Sequence, residues 1–227
     1  MEQAFASWSG GKDCCLALYR AIASGLQVSY LVNTVSEDGL QSRSHGLAAK
    51  WVQMQAQAIG IPVIQQPTAK DNYEAQFKSV LRTLNRQGIT AGVFGDIDFN
   101  AHREWVDRVC AETGMTPHLP LWEENQKALF QEFIDLGFEA VVVSTRADVL
   151  GEEWLGRKLD AGFLADLAKL PGVTACGEAG EYHTLVIDGP LFQKRIEITA
   201  ANKVLRECRW FLEITDCGLK PKREKVR

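Results

Sequence analysis

The sequence predicts an α/β protein: a doubly wound, mainly parallel sheet over residues 1–122, followed by a smaller α+β domain over residues 123–227. Three observations predict it. Short, uniformly apolar runs alternate with helix-period stretches through the first half, as in parallel strands covered on both faces. A diglycine bend, Ser9-Gly10-Gly11-Lys12-Asp13-Cys14, joins the first strand to the first helix, at the kind of position where doubly wound sheets bind ligands. Beyond Pro117, Pro120 and the Leu119, Leu121, Trp122 run the character changes, and the chain closes on segments that alternate polar and apolar residues.

Taken in order, Ala4, Phe5, Ala6 and Trp8 make a short apolar strand, and residues 15–22, without Gly or Pro, make the first helix, with Gly25 as its C-cap. A second strand follows at 28–35 and a turn at Asp38-Gly39. Ser44 caps a helix on which Leu47, Trp51, Met54 and Ala58 recur at helical spacing before Gly60. The third strand, 61–64, has Pro62 near its start, where a missing N–H does least harm. A helix carrying Tyr73, Phe77, Val80, Leu81 and Leu84 ends at Gly88, and 91–96 is the fourth strand. Asp96-Ile97-Asp98 leads into a helix whose Trp105, Val106, Val109 and Cys110 are core positions. Prolines then interrupt both periodicities and mark the domain boundary. In the second domain a helix over 125–136 precedes a buried strand at 138–144, and a helix with Phe163, Leu164, Leu167 and Leu170 stops at Pro171-Gly172. Strands are expected at 185–188, 195–199 and 209–214. Lys220, Lys222, Arg223, Lys225 and Arg227 read as a solvated, disordered tail.

Composition narrows the function classes. A chain of 227 residues, 46% hydrophobic and 24% charged, buries a proper core and belongs with soluble globular proteins. A net charge of −4 argues against broad phosphate-driven nucleic-acid binding. No stretch resembles a signal peptide or a membrane span, so a cytoplasmic protein with no membrane partner is expected. The six cysteines form no C-x-x-C pair and the four histidines are scattered, so reduced thiols and no structural zinc are expected. Cys14 sits where a helix N-terminus lowers a thiol pKa, but it is read as a small, inert buried residue.

The diglycine bend is the chemistry-bearing stretch. Two adjacent glycines turn the backbone tightly and expose its N–H groups, and the first helical turn adds its own unpaired N–H groups and the positive dipole end. An oxyanion is held there. Ser9 adds a hydroxyl and Lys12 a mobile positive charge. Asp13, which would repel a phosphate, fits as a helix cap or as a carboxylate that reaches a phosphate-bound Mg²⁺. The spacing is not that of a Walker A loop. Asn33-Thr34 and Gly95-Asp96 end the second and fourth strands, so they share one rim with the bend, and Arg103 lies close to it at the start of its helix. His45, on the polar run 41–46, reads equally as facing substrate or as solvating a loop.

A second polar stretch, Cys176-Gly177-Glu178-Ala179-Gly180-Glu181-Tyr182-His183-Thr184, crowds two carboxylates, a phenol, an imidazole and a hydroxyl onto a glycine-bearing loop. It reads either as an acid-rich turn or as a site whose paired carboxylates hold ammonium, accept its proton or bind Mg²⁺.

Ser9 to Cys14 resembles the SGGKDS pyrophosphate-binding loop of the PP-loop ATP pyrophosphatases, within the adenine nucleotide alpha hydrolase (HUP) superfamily. Gly95-Asp96-Ile97, Arg103 with Trp105, Pro120-Leu121-Trp122, Trp154-Leu155-Gly156-Arg157 with Leu159-Asp160, and Gly177 to Thr184 extend the resemblance, from residue 4 to about residue 192, to the diphthine-ammonia ligase family. Its late signature reads roughly GEGGEYET. This chain departs from the pattern at Cys14 for Ser, Ala179 for Gly and His183 for an acidic residue.

The resemblance implies an AMP-forming ligase that adenylates a carboxylate and amidates it with ammonia, using ATP and Mg²⁺, with diphthine on a translation elongation factor as acceptor. It implies catalytic roles for Lys12, Asp13, Glu178 and Glu181, with Asp13 the metal-reaching carboxylate. ATP would be held by Ser9, Gly10, Gly11, Lys12, Asp13, Cys14, Thr34 and Asp96. The acceptor would be held by His45, Arg103, Gly177, Glu178, Glu181, Tyr182, His183 and Thr184. Two alternatives stay open: adenylation of a different carboxylate or amide, and a non-catalytic ATP-binding module. The oligomeric state is left open too.

Overall fold

The computed structural model describes residues 2–43 and 45–222. Its first half is a parallel five-stranded sheet built from β1 (Gln3–Ser7), β2 (Gln27–Val35), β3 (Val63–Pro67), β4 (Ala91–Val93) and β5 (Thr116–His118) in the order β3-β2-β1-β4-β5. The strands alternate with α1 (Lys12–Ala23), α2 (Ala49–Ile59), α3 (Tyr73–Arg86) and α4 (Asn100–Thr113). Strand order reverses between β1 and β4. Their two carboxyl ends therefore open the crevice in which such sheets take ligands.

The sheet separates two apolar clusters. On one face Phe5, Val32 and Phe94 pack with Phe77, Leu81 and Leu84 of α3 and Val106 and Val109 of α4. On the other, the small Ala4, Ala6 and Ala91 admit α1 and α2 close to the strands. Phe5 needs space on its own face, and a Cβ on Gly92 would come within 2.7 Å of its ring. The expected core role of Val106, Val109 and Cys110 holds, and Trp105 packs half-buried beside them.

The second half adds an antiparallel sheet, ordered β7-β6-β9-β8, from β6 (Glu139–Arg146), β7 (Tyr182–Asp188), β8 (Lys194–Arg206) and β9 (Arg209–Pro221). Helices α5 (Gln126–Asp135) and α6 (Ala161–Leu167) accompany it, capped by the Asn125 and Asp160 side chains. This sheet lies against α1 and α2, so one continuous cluster runs from Ala4 through Leu18 and Val52 to Val142, Phe163 and Leu185.

Several elements differ from expectation. Thr116–His118 is a fifth parallel strand, where Pro117 pairs opposite Gly92; at the sheet edge a proline's missing N–H faces outward, so the proline ended the pattern without ending the strand. The third strand begins after Pro62 and runs to Pro67. The second helix starts at Ala49, so Leu47 precedes it although it is buried; its N-cap Ala48 makes no side-chain cap, and the expected cap Ser44 lies outside the described residues. Tyr182, His183 and Thr184 belong to strand β7 and not to a loop. The closing pair of strands is a long hairpin of 13 residues on each side. It takes in Lys220, and the Lys222 ammonium donates to the Gly189 carbonyl at 2.8 Å, so neither is part of a free tail; Arg223, Lys225 and Arg227 lie outside the described residues.

Candidate active site

The bend after β1 and the loop before β7 face each other across a cavity of about 360 Å³. Ser9, Lys12, Asp13, Cys14, Thr34, His45 and Asp96 line it from the first half. Gly177, Glu178, Tyr182, His183 and Thr184 line it from the second. Gly10 takes φ +85°, the left-handed turn expected of a diglycine bend. A Cβ on Gly95 would come 2.8 Å from the Cys14 backbone nitrogen, so the bend and the β4 loop touch through a glycine.

Gln55, invisible as a functional residue in the sequence, fixes this meeting of the two halves. It is fully buried on α2, accepts from Trp8 Nε1 at 2.8 Å, and donates to the Gly10 carbonyl at 2.9 Å and the Val186 carbonyl at 2.7 Å. The Val186 N–H donates to the same Gly10 carbonyl at 3.0 Å. The first half's loop is thus bonded directly to the second half's strand.

Lys12 is not the mobile cation expected of it. Its side chain is buried and its ammonium donates to Asp13 Oδ2 at 2.7 Å and to the Cys176 carbonyl, with the Tyr182 ring centroid 5.3 Å away. Burial works against its charge, but Asp13, Tyr182 and Cys176 outweigh that and hold the ammonium protonated. Asp13 is not a cap, since the N-cap is Gly11 with no side-chain cap. Burial raises its carboxyl pKa against the pull of Lys12, and Asp96 adds to the rise. Two N–H groups of the bend already have hydroxyl partners: Gly11 donates to Ser9 Oγ at 3.3 Å and Lys12 to Thr184 Oγ1 at 3.0 Å. Those oxygens take the acceptor role that phosphate oxygens would take.

Cys14 is buried, as expected, yet its thiol is not simply inert. Burial raises its pKa, but hydrogen bonds from Cys15, the Ser9 hydroxyl and the Ser9 and Gly10 backbone leave it below the ordinary value. All six cysteines are unpaired.

Across the cavity, burial pushes the Glu178 carboxyl up to about 7, and the nearby Asp13, Asp98 and Asp96 add to the rise. A carboxyl that titrates there exchanges protons at neutral pH. His45 and His183 stack with centroids 4.6 Å apart and planes at 21°. Burial holds both neutral, His45 pushed down to about 4 and His183 well below its ordinary value. The Tyr182 hydroxyl donates to the Ala175 carbonyl at 2.6 Å, and Gly177, at φ +74°, lies where a Cβ would meet the Tyr182 carbonyl at 2.8 Å.

Four expected site residues are absent from the cavity lining: Gly10 and Gly11, which shape the bend, and Glu181 and Arg103. Glu181 is fully buried; one carboxylate oxygen accepts the Thr174 N–H at 2.6 Å and the other has no partner among the described residues. Arg103 pairs with Asp107 at 2.8 Å and lies 5.4 Å from the Trp122 ring. Conversely, Val32, Tyr73, Phe77 and His102 line the cavity although no motif in the sequence marks them for it. The first three read as core in the sequence. His102 carried one usable signal, its place six residues after Asp96, whose carboxylate it meets at 3.1 Å and which raises its pKa.

The carboxylates suit Mg²⁺ held jointly with phosphates: Asp96 is close enough to Asp13 to disfavour its ionisation, a strain that a divalent cation relieves. No cluster of three or more protein ligands exists among the described residues, so phosphate oxygens would complete the coordination.

Comparisons with known proteins cover nearly the whole chain. A family described as diphthamide synthase N-terminal domain matches residues 2–117, and one described as diphthamide synthase C-terminal domain matches residues 125–219. A diphthine-ammonia ligase of Bos taurus is 30% identical over 224 residues, covering 86% of this chain and 82% of that protein. One of Homo sapiens is 29% identical over 234 residues, covering 91% and 86%. A relative of the same name in Schizosaccharomyces pombe is 31% identical over 212 residues, or 84% of this chain but only 35% of that protein. A solved chain described as a predicted subunit of tRNA methyltransferase from Methanocaldococcus jannaschii aligns at TM-score 0.48 and 15% identity, over 84% of this chain and 98% of that one. A match that distant carries no argument here.

Proposed function

The chain belongs to the diphthamide synthase family, and on that premise we propose that it is an ATP-dependent, AMP-forming ligase that converts the carboxylate of diphthine, on a translation elongation factor, to the amide. Such an acceptor puts the reaction in the cytoplasm. The observation that carries the reading is the single cavity shared by the glycine bend and the Glu178 loop, with Lys12 at their junction.

The β and γ phosphates of ATP lie on the bend from Ser9 to Cys14, in place of the hydroxyls that its N–H groups now meet. The purine extends past Thr34 toward Val32, Tyr73 and Phe77, the apolar end of the cavity. The acceptor carboxylate attacks the α phosphorus and pyrophosphate departs, its growing charge met by Lys12 and the helix N-terminus. Asp13 and Asp96 would hold Mg²⁺, which neutralises phosphate charge when bound. Ammonia then attacks the acyl carbon of the adenylate, the C–O bond to AMP breaks, and the proton released from nitrogen passes to Glu178. A carboxyl poised near neutrality suits that transfer.

Tyr182, Gly177 and Thr184 shape the wall of the acceptor side and, through Lys12, the phosphate side as well. Glu181 acts one layer back by holding the Thr174 N–H, and so the loop. Arg103 acts through Trp122 and the rim. A second reading, adenylation of a different carboxylate in the same cavity, draws support from the paired neutral imidazoles of His45 and His183, which present a flat, uncharged surface to the acceptor.

The test is to incubate the protein with ATP, Mg²⁺, ammonium and diphthine-bearing elongation factor and to identify the products. AMP and pyrophosphate that require both factor and ammonium are expected. Release without the factor would point to the second reading, and ADP as product would overturn both.

A further inference from the structure

A second cavity of about 360 Å³ lies beside the active site, between the start of α2 and strand β9. Among the described residues, His45 is the one that lines both cavities. The inner walls are apolar, with Leu47, Trp51, Val143, Phe211 and Ile214, while Lys50 and an ion pair of Arg206 with Glu213 stand among the lining.

The His45 ring is held as a partition. Its Nδ1 lies 3.0 Å from the Thr184 carbonyl. A carbonyl only accepts, so Nδ1 carries the ring proton, and in the neutral ring Nε2 is left as an acceptor, with no partner among the described residues. One face stacks on His183, and a Cβ on Gly11 would fall 2.5 Å from His45 Cε1. Thus the imidazole touches the phosphate bend, the acceptor side and the second cavity at once.

Resting on the amidation reading above, we propose that the second cavity is the entry for ammonia, and that His45 is the positioning residue at which ammonia passes to the acyl-adenylate. When the amide bond forms, nucleotide and a macromolecular acceptor fill the front cavity, so the nucleophile needs another way in. An apolar passage suits a small neutral amine and disfavours a hydrated cation. Lys50 adds electrostatic repulsion against ammonium but none against ammonia, while Arg206 is paired with Glu213. The unprotonated Nε2 then accepts an ammonia N–H and leaves the nitrogen lone pair free to attack the acyl carbon. AMP departs and the surplus proton goes to Glu178, as above.

The adenylation half-reaction needs no ammonia, which separates this inference from the reading beneath it. Thr215 and Gln41 line the second cavity with exposed side chains and do not line the front one. Thr215→Trp and Gln41→Trp should leave factor-dependent exchange of pyrophosphate into ATP within about twofold of the parent, raise the KM for ammonium about tenfold or more, and recover amidation at saturating ammonium. Thr215→Ser should behave as the parent. An unchanged ammonium KM in both tryptophan variants would overturn the inference, as would exchange and amidation falling together. If the parent itself shows no factor-dependent exchange, the ligase reading fails, and the inference falls with it.

Discussion

The Glu178 carboxyl sits opposite a bend that already carries Asp13, with Asp96 and Asp98 near enough to oppose its ionisation. Raised to about 7, it is mostly protonated below neutrality and mostly ionised above. If its ionised form takes the proton released from ammonia, amidation at saturating ammonium should rise through pH 7 and level off above. Glu178→Gln should lose that rise, and a parental profile flat across pH 6 to 8 would contradict the role. His45 works with the opposite linkage. Pushed down to about 4, it holds a proton less tightly when folded than the ordinary value of 6.5 that it regains on unfolding. The unfolded chain therefore binds the extra proton between those values, and stability intact at pH 7 drains away as pH falls from about 6.5 to about 4, by up to about 3 kcal/mol. Glu178 pulls the other way over part of that range, so the parent alone does not isolate the effect. His45→Asn, which keeps an N–H for the Thr184 carbonyl, should lose less of its urea midpoint than the parent over this pH interval.

At the scale of elements, α2 carries the joint between the halves through one polar side chain. Replacing Gln55 by Leu keeps the volume but strands the Trp8 N–H and the Val186 carbonyl in the interior. A loss of about 2–4 kcal/mol is expected in urea unfolding. A cost below about 1 kcal/mol would mean that the bend and β7 hold together without it. Here the limits of the sequence are also clear. The bend, its strand and its helix were legible because Gly10, Gly11 and the apolar run before them each point to the same local geometry. Gln55 was not, because a glutamine at helical spacing looks like any solvent-facing polar residue until the second sheet covers it. Thr116–His118 hides behind its proline, and Tyr182 to Thr184 look like loop in the sequence because their polar side chains line a cavity and do not alternate between core and water. Glu178 was legible as a carboxylate on a glycine-bearing loop, whereas the withdrawal of Glu181 and Arg103 from the lining depends on contacts with Thr174 and Trp122 that no local pattern encodes.

For the whole molecule, one apolar cluster spans both sheets, and the active-site cavity has walls from each. Neither half can open without exposing that cluster, so unfolding should be a single transition, with far-UV and near-UV circular dichroism falling together. Two separated transitions would show that the halves are independent units. The central claim is that the assembled halves grip the departing pyrophosphate at the head of α1. A crystal structure with a nonhydrolysable ATP analogue bound tests it most directly. The β and γ phosphates should lie within hydrogen-bond reach of Ser9 to Cys14 and the Lys12 ammonium, with the purine toward Tyr73 and Phe77. Phosphates seated anywhere else in the molecule, or a purine resting on the glycine bend, would contradict it.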